Sequence, residues 1–265
     1  MRDAYGREIR YLRISVTDRC NLRCVYCMPA SGIPLLPHDR ILSYERIAEV
    51  ASAASRLGFT KFRITGGEPL VRRDLPVLVS LLAAIDEPRE IVMTTNGTLL
   101  APVAKELKER GLGSVNVSLD TLKADRYREL TRGGDLNAAL AGIEAAREAG
   151  LAIKFNVVML DEESEADLPA LRSYAGRLGA KIQTIARYRL DRTKEDGGAY
   201  DRPPECAGCD RLRLLSDGTL RPCLHGSAGI RCDFSDLEGS IAAAIQAKPE
   251  RGRTAREPAV SMIGG

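Results

Sequence analysis

Apolar and polar residues alternate with a period of two at 11–16, 61–65 and 152–158, three of six short strand-like stretches of this chain, and longer stretches with helical spacing separate the six. The short stretches predict strands at 11–16, 61–65, 91–95, 114–119, 152–158 and 181–186. The longer ones predict helices near 43–57, 74–85, 100–110, 135–149 and 167–178. Pro76 sits early in the second helix, where a missing N–H is tolerated. Gly58, Gly111, Gly150 and Gly179 each close a helical run, as C-terminal caps do. Repeated βα units build a parallel sheet with right-handed crossovers. Six units suit an open, partial (β/α)6 barrel better than a closed eightfold one. A doubly wound sheet is the alternative, but no GxGxxG or Walker loop opens the first helix. From Leu190 to Pro204 the chain turns polar and rich in turn formers, which reads as a linker. The expected division is therefore 1–190 and a small second module, 191–265.

Strand alternation also assigns faces. Leu12, Ile14 and Val16 oppose Arg13 and Ser15; Phe62 and Ile64 oppose Lys61, Arg63 and Thr65; Ile153, Phe155 and Val157 oppose Lys154 and Asn156. If helices cover the apolar faces, Arg13, Lys61, Arg63 and Lys154 all point into the barrel. Four cations in a core are costly unless an anion meets them. A triphosphate fits, because Arg and Lys suit phosphate oxygens. The plainer alternative is that one or two of these side chains reach water from strand ends.

A chain of 265 residues can bury a substantial core. With 44% hydrophobic and 28% charged residues it reads as a globular, water-soluble protein. A net charge of +3 gives no reason to expect a nucleic-acid partner. The apolar runs are too short for a membrane span, and the first residues carry no apolar signal segment, so the expected location is the cytoplasm. There, seven cysteines argue for metal chemistry over disulfides.

The cysteines fall into two groups. Cys20, Cys24 and Cys27 write Cys-x3-Cys-x2-Cys directly after the first strand. Three thiolates at that spacing can hold three irons of a [4Fe–4S] cube and leave the fourth iron open. A structural zinc site would want a fourth ligand, and only His38 lies near in sequence. Cys206, Cys209 and Cys223 form Cys-x2-Cys-x13-Cys, and the residues between read as two short strands around an Asp-Gly turn. The hairpin would return Cys223 to the other two. By residues alone zinc and iron–sulfur stand level here, with Cys232 or His225 as a fourth ligand.

The loop from Ser15 to Pro29, with Tyr26 just before the third cysteine, resembles the signature loop of the radical S-adenosylmethionine superfamily. Thr65-Gly-Gly-Glu-Pro69 after the second strand is similar to its methionine-binding segment, with Thr95-Asn-Gly97 and Ser118-Leu-Asp120 following later strands. The Leu-Val-Arg-Arg-Asp74 extension, Asn116-Val-Ser-Leu-Asp120, the run from Cys209 to Gly218, Pro222-Cys-Leu224 and the terminal Ile263-Gly-Gly265 resemble the GTP 3′,8-cyclases of molybdenum cofactor biosynthesis. That resemblance implies a partial (β/α)6, TIM-like barrel with a small C-terminal iron–sulfur domain. It implies two [4Fe–4S] clusters, on Cys20, Cys24 and Cys27 and on Cys206, Cys209 and Cys223, with S-adenosylmethionine as cosubstrate. The cofactor would meet Tyr26, Gly66, Gly67, Glu68, Thr94, Asn96 and Ser118, with Glu68 near its ammonium. The substrate, GTP or another phosphorylated small molecule, would meet Arg13, Lys61, Arg63, Lys154, Arg211 and Arg213. Catalytic positions carried over are Arg13, Arg211, Arg213, Gly264 and Gly265, the last two in a tail that enters the site. The implied chemistry is removal of hydrogen from C3′ of GTP by a 5′-deoxyadenosyl radical, then attack on C8. An electron donor such as flavodoxin or ferredoxin is the implied partner, with no nucleic acid and no membrane; a homodimer is left open.

Two departures stand out. Gln183 occupies a position where the family carries a phosphate-binding arginine, with Arg187 and Arg189 as nearby substitutes, and the segment from 187 to 205 is short for the family. Another nucleotide substrate, a peptide-modifying relative, or an inactive scaffold holding metal are the rival expectations. Cys232 reads as a lone thiol.

Overall fold

A computed structural model describes residues 1–86, 90–187, 193–194, 196, 198–201 and 205–254. Six parallel strands follow one another in sheet order: β1 (Tyr11–Ser15), β2 (Lys61–Thr65), β3 (Glu90–Thr95), β4 (Ser114–Ser118), β5 (Ala152–Met159) and β6 (Lys181–Ala186). Between them lie α1 (Tyr44–Arg56), α2 (Leu75–Ala83), α3 (Ala104–Glu109), α4 (Ala124–Thr131), α5 (Leu136–Glu148) and α6 (Glu162–Arg177). The α/β alternation and the partial barrel are as expected. The even residues of the first two strands, Leu12, Ile14, Phe62 and Ile64, are fully buried and share one core with Ile47 and Val50 of α1 and Leu78 and Leu82 of α2. Each such side chain contributes roughly 1.5–3 kcal/mol on burial. The odd residues are thereby left for the barrel's inner face.

Three helical features depart from the expectation. α4 fills a stretch assigned to no element, because only Tyr127, Leu130 and Thr131 of its eight residues are buried and the apolar signal is thin. α6 begins at Glu162 instead of 167. Its acidic first turn is favoured by the helix dipole, and the Asp161 side chain caps it by accepting from the Ser164 amide at 2.9 Å. Pro169 lies inside this helix. α7 (Leu237–Gln246) occupies the second module, burying Ile241, Ala244 and Ile245.

The residues after Cys209 carry β7 (Arg211–Leu214), β8 (Thr219–Arg221) and β9 (Ile230–Arg231). β7 pairs parallel with β1, and β8 and β9 continue antiparallel, so all nine strands form one sheet. The β7–β8 turn is the expected Asp-Gly turn, with Gly218 at φ 88°, where a side chain would be strained. No helix among the described residues is long and apolar enough to cross a membrane.

Candidate active site

Cys20, Cys24 and Cys27 leave β1 at its C-terminal end and line one cavity with residues from β1 to β7. The cavity measures about 1290 Å³ out to its mouth. The segment after β2 is zipped onto the cysteine loop: the Gly67 amide donates to the Thr17 carbonyl at 2.9 Å and the Glu68 amide to the Arg19 carbonyl at 2.8 Å. A Cβ on Gly67 would overlap the Arg19 carbonyl, so only glycine permits this approach. Gly66 adds φ 152° and the same crowding against Thr17.

Glu68 is buried beneath this junction. Its carboxylate accepts from Thr95 Oγ1 at 2.8 Å, the Asn96 amide at 2.7 Å and the Leu70 amide at 3.1 Å. Oε2 accepts only one of these, so it has room for one further donor on the cavity side. Burial pushes its pKa from 4.5 to about 7 against those three hydrogen bonds. The raised value sets a sign for stability. Below about pH 4.5 both folded and unfolded chains carry the proton; as pH rises towards 7 the unfolded chain ionises first, and on the order of 3 kcal/mol is lost. Thermal melts of metal-free protein are expected to fall more steeply over this window for wild type than for Glu68→Gln. Equal slopes would remove Glu68 as the source.

Tyr26 donates to Asp120 Oδ2 at 2.7 Å, and the Val158 amide donates to Oδ1 at 2.7 Å. Burial raises Asp120 to about 6 and Tyr26 well above its ordinary range. The cysteine loop is thus tied across the barrel to the ends of β4 and β5. Asn96 makes a second tie, donating from Nδ2 to Asn21 Oδ1 at 2.9 Å.

Strand register aligns the cations. Arg13 stands opposite Arg63 on β2 and Arg213 on β7, and Arg213 stands opposite Arg221 on β8. Four arginines thus occupy one rung. Arg13, Arg63, Arg211 and Arg213 line the cavity, with Arg63 and Arg213 buried. One rung away, Tyr11 accepts a hydrogen bond from Arg63 Nε, and the Arg63 and Arg211 guanidinium carbons each lie 5.7 Å from its ring centroid. Burial raises the Tyr11 pKa, but Arg13, Arg63 and Lys61 outweigh it and the net shift is downward. The opposite wall is neutral: Thr94, Asn116, Ser118, Asn156 and Gln183. Arg63 Nη1 donates to Thr94 Oγ1 at 3.0 Å and Asn116 Nδ2 to Asn156 Oδ1 at 3.4 Å.

Lys61 and Lys154 share the inner face but stand outside the cavity lining. Lys61 sits at the start of β2 and pairs with Glu90 at 2.6 Å, a strand-end position. Arg187 is exposed, and Arg189, Gly264 and Gly265 lie outside the described residues. His38 is exposed and away from the three cysteines' cavity. Tyr11 and Arg221 escaped the sequence reading. Alternation places Tyr11 on the face of Arg13, so that signal was present; Arg221 needed the hairpin register.

The second cysteine group gathers below β7. The Cys209 amide donates to the Cys206 carbonyl at 3.1 Å, and Cys223 follows β8. His225 is buried beside them and held at a pKa of about 4 by burial, Lys194 and Arg213. Lys248, 3% exposed, donates to the Arg211 carbonyl at 2.6 Å and the Pro222 carbonyl at 2.9 Å.

Each trio offers three thiols, the donor set of a [4Fe–4S] cube with one iron left open; among the described residues no three His, Cys, Asp or Glu side chains already converge as they would about a metal ion. Burial, with repulsion from Cys27, Asp120 and Cys20, pushes Cys24 up to about 12. Three thiolates are therefore tolerated here only when positive metal charge displaces their protons.

Residues 14–175 match the Radical SAM superfamily. The GTP 3′,8-cyclase of Pelotomaculum thermopropionicum is 41% identical over 307 positions, covering 95% of this chain and 94% of the relative. That of Moorella thermoacetica is 38% identical over 323 positions, covering 100% of both. Since this chain has 265 residues, the second alignment leaves gaps in it. Among solved structures, Streptococcus suis SuiB bound to S-adenosylmethionine superposes with a TM-score of 0.69 at 14% identity, over 91% of this chain and 64% of SuiB. Native anSMEcpe with bound AdoMet superposes with a TM-score of 0.64 at 14% identity, over 91% and 81%. These two likenesses establish the fold.

Proposed function

The chain belongs to the radical S-adenosylmethionine superfamily and, within it, to the GTP 3′,8-cyclase family, and on that premise we propose that it converts GTP to (8S)-3′,8-cyclo-7,8-dihydroguanosine 5′-triphosphate in molybdenum cofactor biosynthesis. The observation that carries this reading is one cavity lined both by Cys20, Cys24 and Cys27 and by the Arg63–Arg13–Arg213 rung. A [4Fe–4S] cluster with S-adenosylmethionine supplies, when bound, a 5′-deoxyadenosyl radical able to take hydrogen from C3′ of the substrate. Glu68 Oε2 accepts the cofactor's ammonium, and Gly66, Gly67, Thr94, Asn96 and Ser118 shape its bed. The arginine rung neutralises the triphosphate, since guanidinium groups suit phosphate oxygens. Asn116 and Asn156 offer amides to ribose or base, and Gln183, in register with Asn156, offers a neutral amide to a phosphate oxygen. Closing C3′ onto C8 demands a folded nucleotide, and opposed cationic and amide walls hold it from two sides. Cys206, Cys209 and Cys223 hold a second [4Fe–4S] cluster beside Arg211 and Arg213.

A flavodoxin- or ferredoxin-type protein supplies the electron in this reading, in the cytoplasm. A peptide substrate has less support, because the 38–41% identical relatives are cyclases and the 14% likenesses carry fold alone.

Anaerobic reconstitution, incubation with S-adenosylmethionine, dithionite and GTP, and mass analysis test the proposal. The expected product is a GTP isomer with ribose joined to base; deoxyadenosine without that isomer would sink the substrate assignment. Gln183 lines the cavity as a neutral group in register with Asn156. Gln183→Arg is expected to lower KM for GTP by roughly 10- to 150-fold, through one charge-assisted hydrogen bond worth roughly 1.5–3 kcal/mol. An unchanged KM would show that phosphate does not reach this strand.

A further inference from the structure

Resting on the reading that Cys206, Cys209 and Cys223 hold an iron–sulfur cube, we propose that Lys248 is the positioning residue of that site: it fixes the cysteine segments and raises the cube's reduction potential through its buried ammonium. Nothing in the mechanism above uses Lys248, and it is among the most buried charged side chains of the chain.

Its placement begins with α7. The buried stripe Ile241, Ala244 and Ile245 seats that helix, Pro249 prevents its continuation, and Lys248 is delivered at the first non-helical turn with its amide on the Ile245 carbonyl. The ammonium then reaches inward. It donates to the carbonyl of Arg211, two residues after Cys209, and to the carbonyl of Pro222, one residue before Cys223. One cation therefore ties together the two chain segments that carry these cysteines. A third contact is to sulfur itself, Lys248 Nζ to Cys209 Sγ at 3.8 Å.

The residues after Lys248 continue the arrangement. The Gly252 amide donates to Cys206 Sγ at 3.5 Å, and the Arg253 amide to the His225 carbonyl at 2.8 Å. Arg7, from the N-terminal segment, locks this strap to the first cysteine: its guanidinium donates to the carbonyls of Cys206 (2.9 Å), Pro249 (2.7 Å) and Glu250 (3.1 Å), and Nε to Asp3 at 2.6 Å. Residues 248–253 thus place donors on two of the three sulfurs.

The electrostatic consequence follows from charge. A cube held by three thiolates is an anion that becomes more negative on reduction, so a nearby fixed cation and N–H···S bonds favour the reduced form. Because Lys248 is buried, solvent screens it little. Arg211 and Arg213 lie on the strand whose first carbonyl Lys248 holds, so the same residue keeps the substrate wall in line with the cluster.

The test uses the full chain with Cys20, Cys24 and Cys27 replaced by alanine, so that only the second site is observed. Parent, Lys248→Met and Lys248→Arg proteins are reconstituted anaerobically, assayed for iron and sulfide, and titrated with EPR detection. Lys248→Met is expected to shift the midpoint to more negative potential, and Lys248→Arg to stay near the parent. A Lys248→Met protein with full iron and the parent's midpoint would overturn the proposal, because a purely structural lysine moves stability without moving potential. If Lys248→Met fails to fold or to bind iron, Lys248→Arg decides: iron and midpoint retained support the charge, and both lost overturn it. A parent that takes up no iron would instead overturn the cluster reading under Proposed function, and this proposal with it.

Discussion

Arg213→Ala is expected to slow GTP cyclisation by about 10²–10³-fold, the usual cost of deleting one preorganised group that meets substrate charge in a dry site, while 5′-deoxyadenosine release continues. Arg213 is buried on β7, between Arg13 and Arg221 in strand register, and lines the cavity. β1 separates β7 from β2, the strand that leads into the glycine segment and Glu68, so cofactor cleavage is expected to continue without it. The discriminating measurement is the ratio of cyclised nucleotide to deoxyadenosine in one reaction. Parallel loss of both would mean that Arg213 supports the fold or the first cysteine site instead of the substrate. Arg213→Lys restores the charge but not the planar fork, so partial recovery is expected.

Cys24→Ala is expected to remove the first cluster and to lower deoxyadenosine formation by more than about 100-fold, beyond what losing an outer-shell partner costs. Cys24 stands between Cys20 and Cys27 on a loop pinned by Gly67, Tyr26 and Asn96. Burial and its neighbours push its thiol up to about 12, so its thiolate forms when metal charge displaces the proton. Total iron should fall by about half, since the second trio is separate in the chain and keeps its own cube. Iron near zero would mean that the two sites load together, and unchanged deoxyadenosine would exclude this loop as the cofactor site.

Both expectations draw on features that were unequally visible before the structure. The three cysteines of the first loop are within eight residues of one another, so their spacing states their chemistry directly. The inward direction of Arg13 and Arg63 was legible because a strand's period of two is local. The same reasoning placed Lys61 and Lys154 on the inner face, but it carries no information about depth along the strand. Lys61 lies at the entrance of β2, where Glu90 satisfies it. α4 was obscured because only three of its eight residues are buried, and the first turn of α6 because it is set by the Asp161 cap and its acidic residues more than by an apolar stripe.

Sequence alone determined the succession of strands and helices, the face of each strand residue and the two cysteine groups, because each is written in residues close together along the chain. Tertiary structure decided which of those residues meet. Arg13 and Arg213 become neighbours only when β7 pairs parallel with β1, 200 residues away, and Arg221 joins them only through the hairpin. Lys248 reaches the second cysteine group only because α7 docks and stops where it does. Register between distant strands and the end-point of a docked helix are set by hydrogen-bond pairing and core packing across the whole sheet, and no local stretch of residues encodes either.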